Sequence, residues 1–146
     1  MPTQLHRLTG LGHSWPCGPG ACVSRIKCGE VLLNVRIEGE GPPVLLVHGY
    51  PQNHRMWRRC VPMLARTHRV ILPDLRGYGD SDKPPGDSSH LAYAKRTMAA
   101  DLVALLDVLG IGACAAIGHD RGARVVHRLA LDHPHRLTRA LSLIHI

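Results

Sequence analysis

The sequence predicts an α/β fold with a mostly parallel sheet, and three observations support this class. Short, largely apolar runs at residues 44–47, 69–72 and 113–117 have the composition of strands buried on both faces. Segments with helical periodicity lie between these runs, and a glycine follows each run within five residues. Strands that alternate with helices favour parallel pairing, because each helix returns the chain to the same edge of the sheet.

The predicted strands and helices alternate along the chain. The strands are expected at residues 30–38, 44–47, 69–72, 113–117 and 137–141. The helices are expected at residues 54–66, 92–109 and 121–132. Pro62 lies inside the first helix and should kink or split it, because proline has no N–H to donate. In the second helix, leucines from Leu102 to Leu109 repeat at i, i+3, i+4 and i+7, and Gly110 ends the pattern.

Composition and charge exclude several classes of function. The 146 residues are 45% hydrophobic, which suits a globular domain. The formal net charge is +7, but the basic residues are scattered and only 3% of residues are aromatic, so we expect no nucleic-acid partner. No apolar run is long enough to span a membrane. Five cysteines without C-x2-C spacing, together with scattered histidines, predict reduced thiols in a cytoplasmic protein with neither a metal nor a cofactor.

The domain prediction divides the chain into three parts. Residues 1–24 lack apolar periodicity and are expected to be a disordered or incorrectly assigned extension. Residues 25–140 are expected to form the N-terminal half of a larger core. Residues 141–146, Leu-Ser-Leu-Ile-His-Ile, match the translation of a common sequencing adapter and are expected to be a non-native tail.

The most informative stretch is Gly118-His119-Asp120-Arg121-Gly122, which joins a predicted strand to a predicted helix. A tight turn of this kind has no room for side chains at its flanking positions, so glycines are required there. The central side chain then lies at a helix N-terminus, where backbone N–H groups can stabilise an oxyanion. An aspartate in this place can attack an sp³ carbon without a base. The alternative is a surface aspartate that caps the helix.

Two upstream segments complete a set of three motifs. Residues 48–51 (His-Gly-Tyr-Pro) follow one predicted strand, and residues 74–81 (Asp-Leu-Arg-Gly-Tyr-Gly-Asp-Ser) follow the next. With these motifs in this order, each at a strand end, residues 26–140 resemble the α/β-hydrolase superfamily. The resemblance implies a doubly wound, mostly parallel α/β-hydrolase fold that is truncated after the elbow helix. The cap domain and the C-terminal half, with the catalytic histidine and acid, would lie beyond this chain.

The residues after Asp120 make the chain most similar to the haloacetate (fluoroacetate) dehalogenases, with the epoxide hydrolases next. Arg121 and Arg124 match the dehalogenase pattern His-Asp-Arg-Gly-Gly-Arg, in which both arginines bind the substrate carboxylate, whereas Ala123 replaces the second glycine. The two arginines lie at i and i+3 of one helix, and a guanidinium can bind a carboxylate with two hydrogen bonds. The alternative is that both arginines face solvent.

The resemblance implies a hydrolase that cleaves the carbon–halogen bond of a haloacetate through an alkyl-enzyme ester on Asp120. The backbone N–H groups of Tyr50 and Arg121 would form the oxyanion hole, and Asp74 and Arg76 would support the loop that lines the site. The partner is a small molecule, a haloacetate or an epoxide, and a homodimer remains open for the longer protein. We expect the 146-residue chain alone to be inactive. Two alternatives are an epoxide hydrolase that uses the same aspartate and a non-enzymatic ligand-binding protein.

Overall fold

The computed structural model describes residues 21–144, which contain six strands and three α-helices. The strands are β1 (Cys22–Cys28), β2 (Val31–Glu38), β3 (Pro43–Val47), β4 (Arg69–Pro73), β5 (Cys114–His119) and β6 (Leu137–Leu143). The helices are α1 (Val61–Leu64), α2 (Lys95–Val108) and α3 (Arg121–Asp132). Short 3-10 helices lie at His54–Arg59, Leu91–Tyr93 and Pro134–Arg136.

The six strands form one sheet in the order β1-β2-β4-β3-β5-β6. β3 is parallel to both β4 and β5, and β5 is parallel to β6. β1 and β2 pair in antiparallel fashion, and β2 adds to β4 in the same way. Parallel neighbours need crossover connections, which the helical segments between β3, β4, β5 and β6 supply. The predicted α/β class with a mostly parallel sheet is confirmed.

Both faces of the sheet are covered, because adjacent residues of β3 belong to different hydrophobic clusters. Leu45 and Val47 pack in the larger cluster with α2 and α3. Val44 and Leu46 pack in the smaller cluster with Trp57 and α1. This two-sided burial explains why the β3 run is apolar at every position instead of alternating.

The helix predicted at residues 54–66 is split, as expected for a segment that contains Pro62. A 3-10 helix covers His54–Arg59, and the Asn53 side chain caps it by accepting a hydrogen bond from the Arg55 N–H at 3.0 Å. Cys60 separates this helix from α1, which has its proline in the first turn. Proline is tolerated there because the first N–H groups of a helix have no intrahelical acceptor.

The outer strands extend beyond the predicted core of residues 25–140. β1 begins at Cys22 and pairs with β2 along its whole length, although most of its side chains are exposed. An exposed edge strand has little apolar signal, so the sequence did not predict it. At the opposite edge β6 continues to Leu143, with Leu141 and Leu143 50% and 44% exposed. The predictions for residues 1–20 and 145–146 lie outside the described residues.

The carboxyl ends of β3, β4 and β5 meet at one edge of the sheet. His48 follows β3, Asp74 follows β4 and Asp120 follows β5, so the three sequence motifs come together there. Ligands of open α/β sheets bind at this edge. The same edge is therefore the place of the candidate site.

Candidate active site

Asp120 lies at a sharp turn between β5 and α3. Its backbone has φ 49° and ψ −116°, a conformation that costs a residue with a side chain on the order of 1–3 kcal/mol. A Cβ at Gly118 would lie 2.6 Å from the Cα of the buried Ala123, and one at Gly122 would overlap two backbone carbonyls at the end of β3. Both flanking glycines are therefore needed for α3 to pack against the sheet.

The Asp120 carboxylate is directed towards the end of β3. It makes no capping hydrogen bond to α3, and its Oδ2 accepts a hydrogen bond from the Tyr50 N–H at 3.0 Å. The N–H groups of Tyr50 and then Arg121 lower the pKa of Asp120 below its ordinary value, against a smaller opposing effect of burial. The charges of His119 and Arg124 also lower this pKa. The carboxylate is thus ionised at neutral pH, the form that can attack carbon.

The peptide between Gly49 and Tyr50 is held by His48, which is fully buried. The Leu75 N–H donates to His48 Nε2 at 3.0 Å, so the ring proton is on Nδ1, which donates to the Gly49 carbonyl at 2.9 Å. Burial lowers the pKa of His48 and favours its neutral form. Because the Gly49 C=O and the Tyr50 N–H belong to one peptide, this hydrogen bond fixes the direction of the N–H towards Asp120.

The loop after β4 is anchored by two buried acidic groups. The Asp74 carboxylate accepts hydrogen bonds from the His54 N–H at 2.7 Å, His54 Nδ1 at 2.8 Å and Asn34 Nδ2 at 2.9 Å. Burial acts to raise the pKa of Asp74, but these hydrogen bonds outweigh it and lower the pKa to about 2. Arg76 donates two hydrogen bonds of 2.6 Å to Asp101 on α2. These contacts fix one wall of the site and give Asp74 and Arg76 a structural function.

Arg121 and Arg124 are in the first turn of α3, and both are exposed. The guanidinium carbon of Arg121 lies 4.8 Å from the centre of the Tyr50 ring, within the range of a cation–π contact. Within residues 21–144, neither arginine forms an ion pair with an acidic side chain, whereas Arg128 further along α3 pairs with Asp132. Positive charge in a first turn opposes the helix dipole. An anionic ligand would stabilise this arrangement.

A cleft of about 270 Å³ lies beside these residues, between the end of β3, the loop after β4 and the start of α2. Its lining consists of Tyr50, Gly77, Tyr78, Tyr93, Lys95, Met98 and Arg121. The sequence motifs identified Tyr50 and Arg121 as site residues, but they gave no indication of Lys95. Its position results from the packing of α2 against α3, for which the sequence contains no local signal.

The histidines and cysteines of residues 21–144 do not gather into a metal site. No three His, Cys, Asp or Glu side chains in that range lie together as metal ligands. In the same range, no helix is both long enough and apolar enough to cross a membrane.

Comparison with known proteins identifies the family of the chain. The model of the alpha/beta hydrolase fold family matches residues 42–143. The chain belongs to the alpha/beta hydrolase fold family. It is 48% identical over 109 residues to a fluoroacetate dehalogenase from Burkholderia sp., and the match covers 75% of this chain and 36% of that protein.

Two other relatives show how widely this part of the fold is shared. Epoxide hydrolase 2 from Siraitia grosvenorii is 39% identical over 119 residues, which cover 81% of this chain and 37% of the relative. The structure of a candidate acyltransferase from Salmonella enterica has a TM-score of 0.83 at 52% identity and covers 87% of this chain and 42% of that chain. The chain thus spans less than half the length of these proteins. The predicted fold and family are confirmed. Both a dehalogenase and epoxide hydrolases are relatives, so membership of the family does not distinguish between these two reactions.

Proposed function

We propose that the whole protein is a hydrolase that removes halide from a haloacetate, with Asp120 as its nucleophile. The observation that carries this proposal is the position of the Asp120 carboxylate, which is at the elbow and bound through Oδ2 to the Tyr50 N–H. Among the described residues, Arg121 and Arg124 form no ion pair with an acidic side chain, and they favour an anionic substrate. The similarity to the Burkholderia fluoroacetate dehalogenase supports the same substrate class.

In the first step, Oδ1 of Asp120, the oxygen that Tyr50 does not hold, attacks the α-carbon of the haloacetate. A carbon–oxygen bond forms while the carbon–halogen bond breaks, and the halide leaves with the bonding electron pair. The product is an ester between Asp120 and the acid. Arg121 and Arg124 bind the substrate carboxylate, so that the α-carbon is held opposite the nucleophile.

In the second step, water attacks Cγ of the Asp120 ester, and Oδ2 becomes the oxyanion. Oδ2 is the atom that already accepts the Tyr50 N–H, and the Arg121 N–H, which also lowers the pKa of Asp120, would be the second donor. Removal of one such donor typically lowers kcat by about 10²–10³. Collapse of this intermediate releases glycolate and regenerates the carboxylate. In sum, haloacetate and water give glycolate, halide and a proton; from the family resemblance, a histidine outside this chain activates the water.

Epoxide hydrolysis is the second candidate, because the same carboxylate can open an epoxide ring through the same kind of ester. The 39% identity to the epoxide hydrolase from Siraitia grosvenorii favours it. A neutral epoxide, however, has no carboxylate for Arg121 and Arg124 to bind. The two activities therefore differ in how much they depend on these arginines.

A substrate comparison with the full-length enzyme tests the proposal. Halide release from fluoroacetate and chloroacetate and diol formation from a neutral epoxide would be measured under the same conditions. We expect kcat/KM for chloroacetate to exceed that for the epoxide by about tenfold or more, the value of one charge-assisted contact. Asp120→Asn should abolish both reactions. Faster epoxide turnover would favour the second candidate, and binding of acetate without any turnover would favour a ligand-binding protein.

A further inference from the structure

Lys95 is a half-buried cation in the cleft beside Arg121. It is the first residue of α2, whose first turn contains no acidic residue, so its charge opposes the helix dipole. Among residues 21–144, no acidic side chain forms a hydrogen bond or ion pair with it. Two buried arginines that contact other parts of α2 differ in this respect, since Arg76 is paired with Asp101 and Arg136 with Asp107.

Positive charges outnumber negative ones around Lys95. Burial lowers the pKa of Lys95, and the charges of Arg121 and Arg124 lower it further, while Asp120 acts in the opposite direction. Three cations thus lie within electrostatic reach of one carboxylate. A solvated surface lysine would keep its ammonium group in water and away from other cations. A bound anion would relieve the repulsion among these three side chains.

On the basis of the proposed function, we infer that Lys95 binds the substrate carboxylate together with Arg121 and selects anionic substrates over neutral ones of the same size. Both side chains line the cleft. Neither Asp120 nor Arg124 lines it, but the charges of both act on Lys95. The carboxylate site therefore extends from α3 to the first residue of α2. Lys95 is a specificity-determining residue for the same reaction.

Binding of acetate and acetamide to the full-length enzyme tests this inference, because these ligands share a shape and differ in charge. Isothermal calorimetry would compare the parent with Lys95→Met and Lys95→Arg. Arg96→Met is the matched control, since Arg96 is the next residue of α2, is exposed and pairs with Asp132. It removes the same charge from the same helical turn outside the cleft. Thermal unfolding would confirm that each variant is folded, and Lys95→Gln would replace Lys95→Met if the latter unfolds.

We expect Lys95→Met to weaken acetate binding by about fivefold to thirtyfold, less than a fully buried charged contact would give. Lys95→Arg should restore most of the affinity, and Arg96→Met should change it by less than about twofold at moderate salt. Acetamide binding should be unaffected in all variants. Equal weakening for Lys95→Met and Arg96→Met, or for acetate and acetamide, would overturn the inference, and so would unmeasurable acetate binding by the parent.

These binding measurements, taken with the halide-release assay of the same parent enzyme, separate this inference from the proposed function. If the parent releases no halide, but Lys95→Met binds acetate more weakly than the parent does, the dehalogenase proposal fails and the anion-binding function of Lys95 stands. If the parent releases halide and Lys95→Met binds acetate as the parent does, only the inference about Lys95 fails.

Discussion

Gly49→Ala is the most informative single change, because residue 49 closely approaches Asp120. A Cβ there would lie 2.7 Å from the Asp120 Cβ, 2.8 Å from the His119 carbonyl oxygen and 3.0 Å from His119 Nδ1. Carbon atoms in good contact are about 3.5–4.0 Å apart, so the end of β3 and the elbow must separate by about 1 Å. The Tyr50 N–H moves with this segment, and its 3.0 Å hydrogen bond to Asp120 is lost.

Loss of this donor should lower kcat for chloroacetate by about 10²–10³. KM should fall together with kcat, because slower hydrolysis lets the covalent ester accumulate, while Arg121 and Arg124 on α3 keep their place relative to the carboxylate of the substrate. The free energy of unfolding should fall by about 1–3 kcal/mol, as overpacking of a buried contact usually costs. Steady-state kinetics and thermal unfolding of the full-length enzyme measure these quantities.

Gly112→Ala is the matched control, because a Cβ at residue 112 would meet no atom within 4 Å. It should change kcat by less than about twofold. A folded Gly49→Ala enzyme with the kcat of the parent would refute the reasoning, since the Tyr50 N–H would then make no contribution to the transition state. Equal losses of kcat in both alanine variants would refute it as well.

Three further changes test other parts of the site. Arg124→Lys keeps the charge but loses the planar guanidinium, so kcat/KM for chloroacetate should fall about tenfold while that for a neutral epoxide is unchanged. Equal losses on both substrates would make this arginine structural. His48→Asn places an amide donor at the position of Nδ1, near the Gly49 carbonyl, whereas the His48→Gln amide reaches the position of Nε2 and leaves that carbonyl without the ring's donor, so the Asn variant should retain the higher kcat. The reverse order, at similar thermal stability, would contradict the orienting function of the ring. The hydrogen bonds to Asp74 lower its pKa from 3.8 to about 2, so the ionised carboxylate stabilises the fold above pH 4. This stabilisation is lost as the pH falls towards 2. Between pH 6 and pH 3, Asp74→Asn should therefore lose about 1 kcal/mol less unfolding free energy than the parent, and identical losses would contradict the buried network.

The elbow and the central strands could be predicted from the sequence because each of them restricts which residue types can stand at its positions. Gly118 and Gly122 have no room for a Cβ, so only glycine allows α3 to contact the sheet, and the two glycines are visible in the sequence. β3 is apolar at every position because each of its faces is buried in a different cluster. Pro62 interrupts the helix that contains it for a reason that is local to the backbone.

The remaining features depend on contacts between distant segments, which leave no periodic pattern. The β1 strand, Cys22–Cys28, is recognisable only by its backbone pairing with β2, since most of its side chains are exposed. His48 is visible in the sequence as the first residue of the His-Gly-Tyr-Pro motif. Its hydrogen bonds to Leu75 and Gly49 are not, because the bond to Leu75 requires β3 and β4 to be side by side. Lys95 resembles any lysine at the start of a helix until α2 is packed against α3.

The central claim is that the substrate becomes covalently bound to Asp120, and a single turnover in H₂¹⁸O tests it most directly. In the proposed route water attacks Cγ of the ester, so the oxygen of water enters the Asp120 carboxylate and the glycolate oxygen comes from the protein. With full-length enzyme in excess over chloroacetate, mass spectrometry should show a gain of about 2 Da in the peptide that contains Asp120, together with unlabelled glycolate. Labelled glycolate with an unlabelled Asp120 peptide would mean that water attacks the substrate directly, and it would contradict the account.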